Sequence, residues 1–168
     1  MLRGTTAVVT GGGGFVGRRL CARLVEEGCS EVRAFDIAFP TSKPEPFPRW
    51  ITIKGDVCDM SAVLQCLEGS HVVFHVAGYG MSGHEMMRPE QTREVNVGGT
   101  ENVLRACLER SVAAMVLTST YNVVFGGYPI VDGDERLPYF SAARHVDEYG
   151  RSKTLAEEGV MRARSVCQ

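Results

Sequence analysis

The stretch "TGGGGFVG" at residues 10–17 constrains this chain more than any other. It follows a β-branched apolar run, "TAVVT" (6–10), which reads as a buried strand. After it, Phe15, Val16, Leu20, Leu24 and Val25 recur at helical spacing, and Gly28 fits the helix end. Gly12, Gly14 and Gly17 fit a spaced glycine fingerprint, and Gly11, Gly14 and Gly17 fit the related every-third spacing. An early glycine makes the tight turn, Gly14 leaves bare backbone for a pyrophosphate, and Gly17 lets the helix pack close to the strands. The helix start offers N–H groups and partial positive charge to phosphates. The contacts expected here are Gly11, Gly14, Phe15, Val16 and Gly17. Asp36 ends the second strand, "EVRAFDI", nineteen residues after Gly17. A carboxylate there accepts from a ribose 2′-hydroxyl and repels a 2′-phosphate, which favours NAD over NADP; Arg18 and Arg19 partly relieve that repulsion.

Strand and helix patterns alternate along the rest of the chain. "ITIKGDV", "HVVFHVAG" and "VAAMVLTST" read as strands three to five. "MSAVLQCLEG" and residues 90–110 read as helices, the latter with Val95, Val103, Leu104, Cys107 and Leu108 toward the sheet and a weak point at Gly98–Gly99. A last helix covers 147–166. The proline-rich stretch from Pro40 to Pro48 and the segment from Tyr121 to Val146 read as loops. Right-handed crossovers then give an α/β, doubly wound parallel sheet of order 3-2-1-4-5. The expectation is one domain over residues 1–168.

Ligands sit at the carboxyl ends of strands in such sheets, which places Ser119 and Thr120 beside a nicotinamide. Tyr149 and Lys153 lie at i and i+4 on the last helix. A neighbouring ammonium favours the phenolate, so Lys153 is expected to lower the Tyr149 pKa and fit it for proton exchange while Thr120 holds the substrate oxygen.

Composition excludes several other classes. Net charge is −2, with no electrostatic pull toward nucleic acid or an anionic membrane. No apolar run approaches a bilayer span, so the chain as given reads as soluble and cytoplasmic. Cys21, Cys29, Cys58, Cys66, Cys107 and Cys167 form no CxxC and stand at no ligand spacing from a histidine; they read as reduced thiols, and no metal is expected. His71, His84 and His145 read as surface or loop residues. Met81, Met86 and Met87 flank a glycine-rich loop at the mouth of the expected cleft and read as packing beneath it, with lining of an apolar substrate pocket as the alternative.

"TGGGGFVG", "FD", "GDV", "FHVAG", "NVGGTENV", "LTST" and "YGRSK" occur in the order seen in extended short-chain dehydrogenases/reductases. "VFHVAGYGMSG", "EVNVGGT" and "TSTYNVVFGG" most resemble the 3β-hydroxysteroid dehydrogenase-like branch, family 42E. The resemblance covers about Thr5 to Arg164 and implies a Rossmann fold, NAD(H) and alcohol–ketone redox chemistry on a small apolar, steroid-like substrate. It implies Tyr149 as acid/base, Lys153 as its tuner and a ribose contact, Thr120 as the substrate-orienting hydroxyl and Asn96 as a support. It implies Asp56 and Val57 at the adenine, and His75, Val76 and Ala77 along the cofactor groove. It also implies a homodimer through helices four and five, and membrane association in full-length relatives. The family pattern continues with a sixth strand and a substrate region, so this chain corresponds to its N-terminal half, with strand five as an apolar edge. Two further readings stand beside the dehydrogenase: an inactive NAD-binding fragment or isoform, and a nucleotide-sugar epimerase or dehydratase.

Overall fold

The structure is a computed structural model describing residues 2–40, 48–81 and 83–166. Its backbone contacts form two compact units: Met1–Ala77 with Asn102–Thr118, and Gly78–Glu101 with Ser119–Gln168.

The first unit is built on a five-stranded sheet. Strands β1 (Thr6–Thr10), β2 (Glu31–Asp36), β3 (Trp50–Lys54), β4 (Val72–His75) and β5 (Ala114–Leu117) lie in the order β3-β2-β1-β4-β5. Every pairing is parallel, and Thr10 stands level with Phe35 on one side and His75 on the other. This is the Rossmann-type order expected from the alternating pattern. Helix α1 (Phe15–Glu26) covers the sheet through Cys21 and Leu24, which join Ala7, Val9, Cys29, Val32, Ala34 and Val72 in one apolar cluster. Each large aliphatic side chain buried this way contributes roughly 1.5–3 kcal/mol. Helix α2 (Met60–Cys66) starts on Asp59, whose carboxylate accepts from Ser61 N and Ala62 N. Gly55, just past β3, lies against the Phe35 ring, which would stand 2.5 Å from a Cβ on it. Strand β5 is hydrogen-bonded to β4 and, among the described residues, forms an edge with Val116 exposed.

The second unit holds a 3-10 turn (Gly83–Met87), helix α3 (Pro89–Arg93), a π-helical turn (Glu94–Gly98), 3-10 turns at Tyr121–Val124 and Ala142–Arg144, and helix α5 (Glu148–Val166). Helix α4 (Gly99–Glu109) follows the π turn, and its residues from Asn102 onward belong to the first unit.

Several expectations change. The helix expected over 90–110 is interrupted, because the π turn inserts a wider ring and shifts the faces after it. Val103, Ala106 and Cys107 form the buried stripe of α4, and Leu108, about a quarter-turn away, is exposed. Phe15 and Val16 lie outside the core, 80% and 57% exposed. Met81, Met86 and Met87 are exposed instead of packed beneath the loop, since the 3-10 turn buries none of its residues. The proline-rich loop expectation lies largely outside the described residues, at 41–47. Cys21, Cys29, Cys66 and Cys107 are buried free thiols, Cys58 is half-buried, and Cys167 lies outside the described residues. Burial pushes Cys21, Cys66 and Cys107 up to about 12.

Close approach at Gly17 gives a test. A Cβ there would lie 2.1 Å from Gly11 O, whereas Gly159, inside α5, has nothing within 4 Å of its Cβ position. Gly17→Ala is expected to cost about 1–3 kcal/mol in denaturant unfolding. Gly159→Ala is expected to stabilise by about 0.5–1 kcal/mol.

Candidate functional site

The glycine loop positions the candidate residues of the first unit. Gly11 has φ +70°, and a Cβ on it would lie 2.7 Å from Ala77 N. A Cβ on Gly12 would lie 2.7 Å from Ala34 Cα, and one on Gly13 would lie 2.1 Å from Ala38 O. These glycines are held between the ends of β1, β2 and β4. Gly14 differs: its Cβ would meet only Gly11 O, at 3.3 Å, so that residue presents exposed backbone. It is the N-cap of α1 and has no side-chain cap bond, leaving first-turn N–H groups for an outside acceptor. The exposed Phe15 and Val16 continue the same rim.

Asp36 joins this loop. Its Oδ2 accepts from Gly13 N (2.9 Å) and its Oδ1 from Ala38 N (3.2 Å). Both oxygens keep lone pairs for further donors. Arg18 lies over the Trp50 ring at 6.0 Å and Arg19 over the Phe15 ring at 5.9 Å, so the two cations nearest the loop stack on aromatic neighbours. Asp56 is exposed, with Oδ1 accepting from Cys58 N (2.9 Å), and Val57 is buried beside it. Asn102, which the sequence reading missed, donates through Nδ2 to Val57 O (3.0 Å) and Cys58 O (3.1 Å) and fixes that turn. Its only signal in the sequence was an amide one residue before Val103 in "GTENV". At the end of β4, buried His75 Nδ1 shares a 2.6 Å hydrogen bond with Thr10 Oγ1, which also accepts from Ala77 N (3.3 Å). That pair sets the backbone at the half-buried Val76 and Ala77. Gly11, Gly14, Phe15, Val16, Gly17, Asp36, Asp56, Val57, Val76 and Ala77 thus all belong to the first unit.

Thr120, Asn96, Tyr149 and Lys153 all belong to the second unit. Asn96 sits in the π turn and is 2% exposed. Its Oδ1 accepts from Tyr79 N (2.8 Å), and its Nδ2 donates to Tyr79 O (2.9 Å) and Ser152 Oγ (2.9 Å). Ser152 in turn donates to Tyr149 O (2.9 Å), so the Asn96 amide ties the Tyr79 backbone to the first turns of α5. Thr120 accepts from Asn122 N (3.3 Å) and keeps its own proton to donate. Thr154, fully buried on α5, bonds Gly150 O and His145 Nε2.

Electrostatics reverse one expectation. Burial raises the Tyr149 phenol above its ordinary range, and the Asp147 carboxylate raises it further. Burial also lowers Lys153, with Glu157 opposing that change. Desolvation of the phenolate outweighs any lowering by the ammonium, so Tyr149 rests as the neutral phenol, the proton-donating form. A cavity of about 840 Å³ is lined by Ser119, Thr120, Tyr139 and Glu157 among others, but not by Tyr149 or Lys153. Glu157, also missed from sequence, takes hydrogen bonds from Ser119 and Tyr139; its signal was its place one turn beyond Lys153.

Two measurements test the second unit. The phenolate absorbance lost in Tyr149→Phe is expected to titrate with a midpoint above about 10. Because the folded-state value is raised, this group's contribution to stability is intact below the unfolded value of about 10 and is lost as pH rises through the folded one. Lys153 has the opposite sign, its burial cost fading as pH rises through its lowered folded-state value. Asn96→Ala strands the Tyr79 N–H and C=O and is expected to cost on the order of 3 kcal/mol in urea unfolding.

Residues 8–167 match the family model described as the 3-beta hydroxysteroid dehydrogenase/isomerase family. The chain is 45% identical over 160 residues to short-chain dehydrogenase/reductase family 42E member 1 of Danio rerio, covering 95% of this chain and 40% of that protein. It therefore spans about 40% of the length of the curated relatives it matches. Among solved structures it is similar to epimerase Mth375 of Methanothermobacter thermautotrophicus (TM-score 0.86, 25% identity, 98% of this chain and 48% of that one). It is also similar to a short-chain dehydrogenase/reductase superfamily protein of Agrobacterium tumefaciens with bound NAD (TM-score 0.76, 27% identity, 92% and 44%). The family match runs through both units, from β1 to the end of α5, and the chain belongs to the 3-beta hydroxysteroid dehydrogenase/isomerase family.

Proposed function

We propose that this chain carries the cofactor-binding and proton-transfer residues of an NAD(H)-dependent dehydrogenase acting on a hydroxyl or ketone of an apolar, steroid-like substrate. The observation that carries the cofactor reading is Asp36, held 2.9 Å from Gly13 N beside the bare backbone of Gly14. A diphosphate fits an exposed glycine at an uncapped helix start, and a ribose 2′-hydroxyl fits a carboxylate with spare lone pairs. The same carboxylate disfavours a 2′-phosphate, and Arg18 is engaged over the Trp50 ring, which supports NAD over NADP. Gly11 and Gly17 shape the turn, Phe15 and Val16 border it, Asp56 and Val57 take the adenine side, and Val76 and Ala77 line the groove.

In the second unit, Tyr149 acts as acid/base and donates its proton from the neutral phenol. Lys153 holds positive charge one turn away for the reverse transfer and meets the nicotinamide ribose. Thr120 orients the substrate oxygen with its free hydroxyl proton, and Asn96 ties the Tyr79 backbone to the first turns of α5. A bound nicotinamide supplies or accepts the hydride.

The likeness to an epimerase favours a second reading, a nucleotide-sugar substrate. The cavity beside Thr120 weighs against it. Asp134, Glu135 and Glu157 line it, with no Lys, Arg or His among its described lining residues, so a diphosphate there meets like charge. A third reading, NAD binding without turnover, fits a chain that spans about 40% of its curated relatives.

Fluorescence titration with NADH is expected to show saturable binding, and Asp36→Ala to weaken it about tenfold while narrowing the preference over NADPH. No binding at millimolar NADH would sink the cofactor reading. Binding without oxidation or reduction of a 3β-hydroxysteroid or its ketone would select the third reading.

A further inference from the structure

Glu157 lies one helical turn beyond Lys153 and two beyond Tyr149, so the three share a face of α5. Both of its oxygens are engaged from outside the helix. Ser119 Oγ donates to Oε2, and Tyr139 OH donates to Oε1 at 3.1 Å. Ser119 follows β5, whereas Tyr139 belongs to the long segment that precedes the Ala142–Arg144 turn, so two separate stretches hold one carboxylate in one orientation. Lys153 is 5% exposed, and a buried amine sheds its proton unless an anion stands close.

We propose that Glu157 is a positioning residue for Lys153: its carboxylate, pinned by the Ser119 and Tyr139 hydroxyls, keeps the buried lysine charged and in place on the Tyr149 face of α5. The inference rests on the reading of Tyr149 and Lys153 as the proton-transfer pair. It assigns a task to a carboxylate that neither the glycine loop nor the Tyr149–Lys153 spacing calls for. The charge of Glu157 opposes the effect of burial at Lys153.

The other charged groups around α5 have their own partners or lie in solvent. Arg151 pairs with Glu148 at 3.5 Å, and Asp147 acts on Tyr149. Glu158 acts on Tyr139 and is paired with Arg162 at 3.7 Å. On the cavity side, Asp134 is bound to Arg136, and Glu135 is exposed. Of the turns and helices packed on α5, α3 brings Glu90 and Arg93, the π turn Glu94, the 121–124 turn Tyr121 and the 142–144 turn Arg144, all exposed. His145 bonds Thr154.

The test is a pH titration by NMR of the full chain carrying 13C-labelled lysine. The sequence has three lysines, Lys43, Lys54 and Lys153, and Lys153→Arg assigns the signal of interest. Glu157→Gln is expected to lower the Lys153 midpoint by about 1 pH unit, and Tyr139→Phe by less in the same direction. Circular dichroism of both variants, compared with wild type, reports whether the fold is intact. An unchanged Lys153 midpoint in Glu157→Gln overturns the proposal. If Glu157→Gln does not fold, Tyr139→Phe decides, and a midpoint equal to wild type overturns it. The outcome is separate from the functional reading, because the titration is run without cofactor. Wild-type protein that binds no NADH defeats that reading and leaves the Lys153 result standing.

Discussion

The contact on which the first unit depends is backbone against backbone, between Gly17 at the start of α1 and Gly11 at the end of β1. With 2.1 Å from the Gly17 Cβ position to Gly11 O, only a bare Cα lets the helix lie this close to the strand it follows. That closeness puts Cys21 and Leu24 into the apolar cluster with Val9, Val32 and Ala34. It also leaves Gly14 as the one loop glycine whose backbone faces open space beyond the loop itself. Packing and binding capacity come from the same turn. The glycines that are crowded build the fold, and the one that is not crowded offers a surface.

In the second unit the organising groups are polar. Asn96 places its amide in a π turn and divides its hydrogen bonds between the Tyr79 backbone and Ser152. Ser152, Lys153 and Thr154 are three consecutive polar residues, each 5% exposed or less, at the heart of α5. Burying Ser152 and Thr154 is tolerable because distant stretches of chain supply partners, Asn96 for Ser152 and Val123 O for Thr154. Such a network fixes orientation more sharply than apolar packing, since a hydrogen bond fails within a few tenths of an ångström. That is the property a proton-transfer residue needs from its surroundings.

Charge distribution follows from the same burial. A phenol and an amine on adjacent turns of a helix are simplest to picture as an ion pair, but the structure buries Lys153 and half-buries Tyr149. Desolvation then drives both toward their neutral forms, and the carboxylates that act on them, Asp147 and Glu157, each favour the protonated form, which is neutral for the phenol and charged for the amine. Asp147 holds the phenol protonated, whereas Glu157 supports the ammonium. The acidic lining of the neighbouring cavity adds a bias against anionic ligands.

Much of this was legible in the order of residues. Strand and helix types, the parallel order 3-2-1-4-5, the glycine loop and Asp36 beside it follow from local signals, because a β-branched run, a spaced glycine and a helical period act over a few residues. The glycines, Asp36, Tyr149 and Lys153 were named from spacing, Thr120 from its place at a strand end, and Asn96, Asp56, Val57, Val76 and Ala77 from the family resemblance, and none of these carries information about burial. Tyr149 and Lys153 at i and i+4 read as a pair whose ammonium lowers the phenol; only the packing around α5 shows the phenol raised. Likewise Asn102, Glu157 and the Thr10–His75 bond join residues 44, 38 and 65 positions apart, and no local pattern names the partner. The sequence by itself determined which elements form and which residue types they present. Tertiary structure alone decided which polar groups lose water and which find partners, because both depend on contacts between stretches that are distant along the chain.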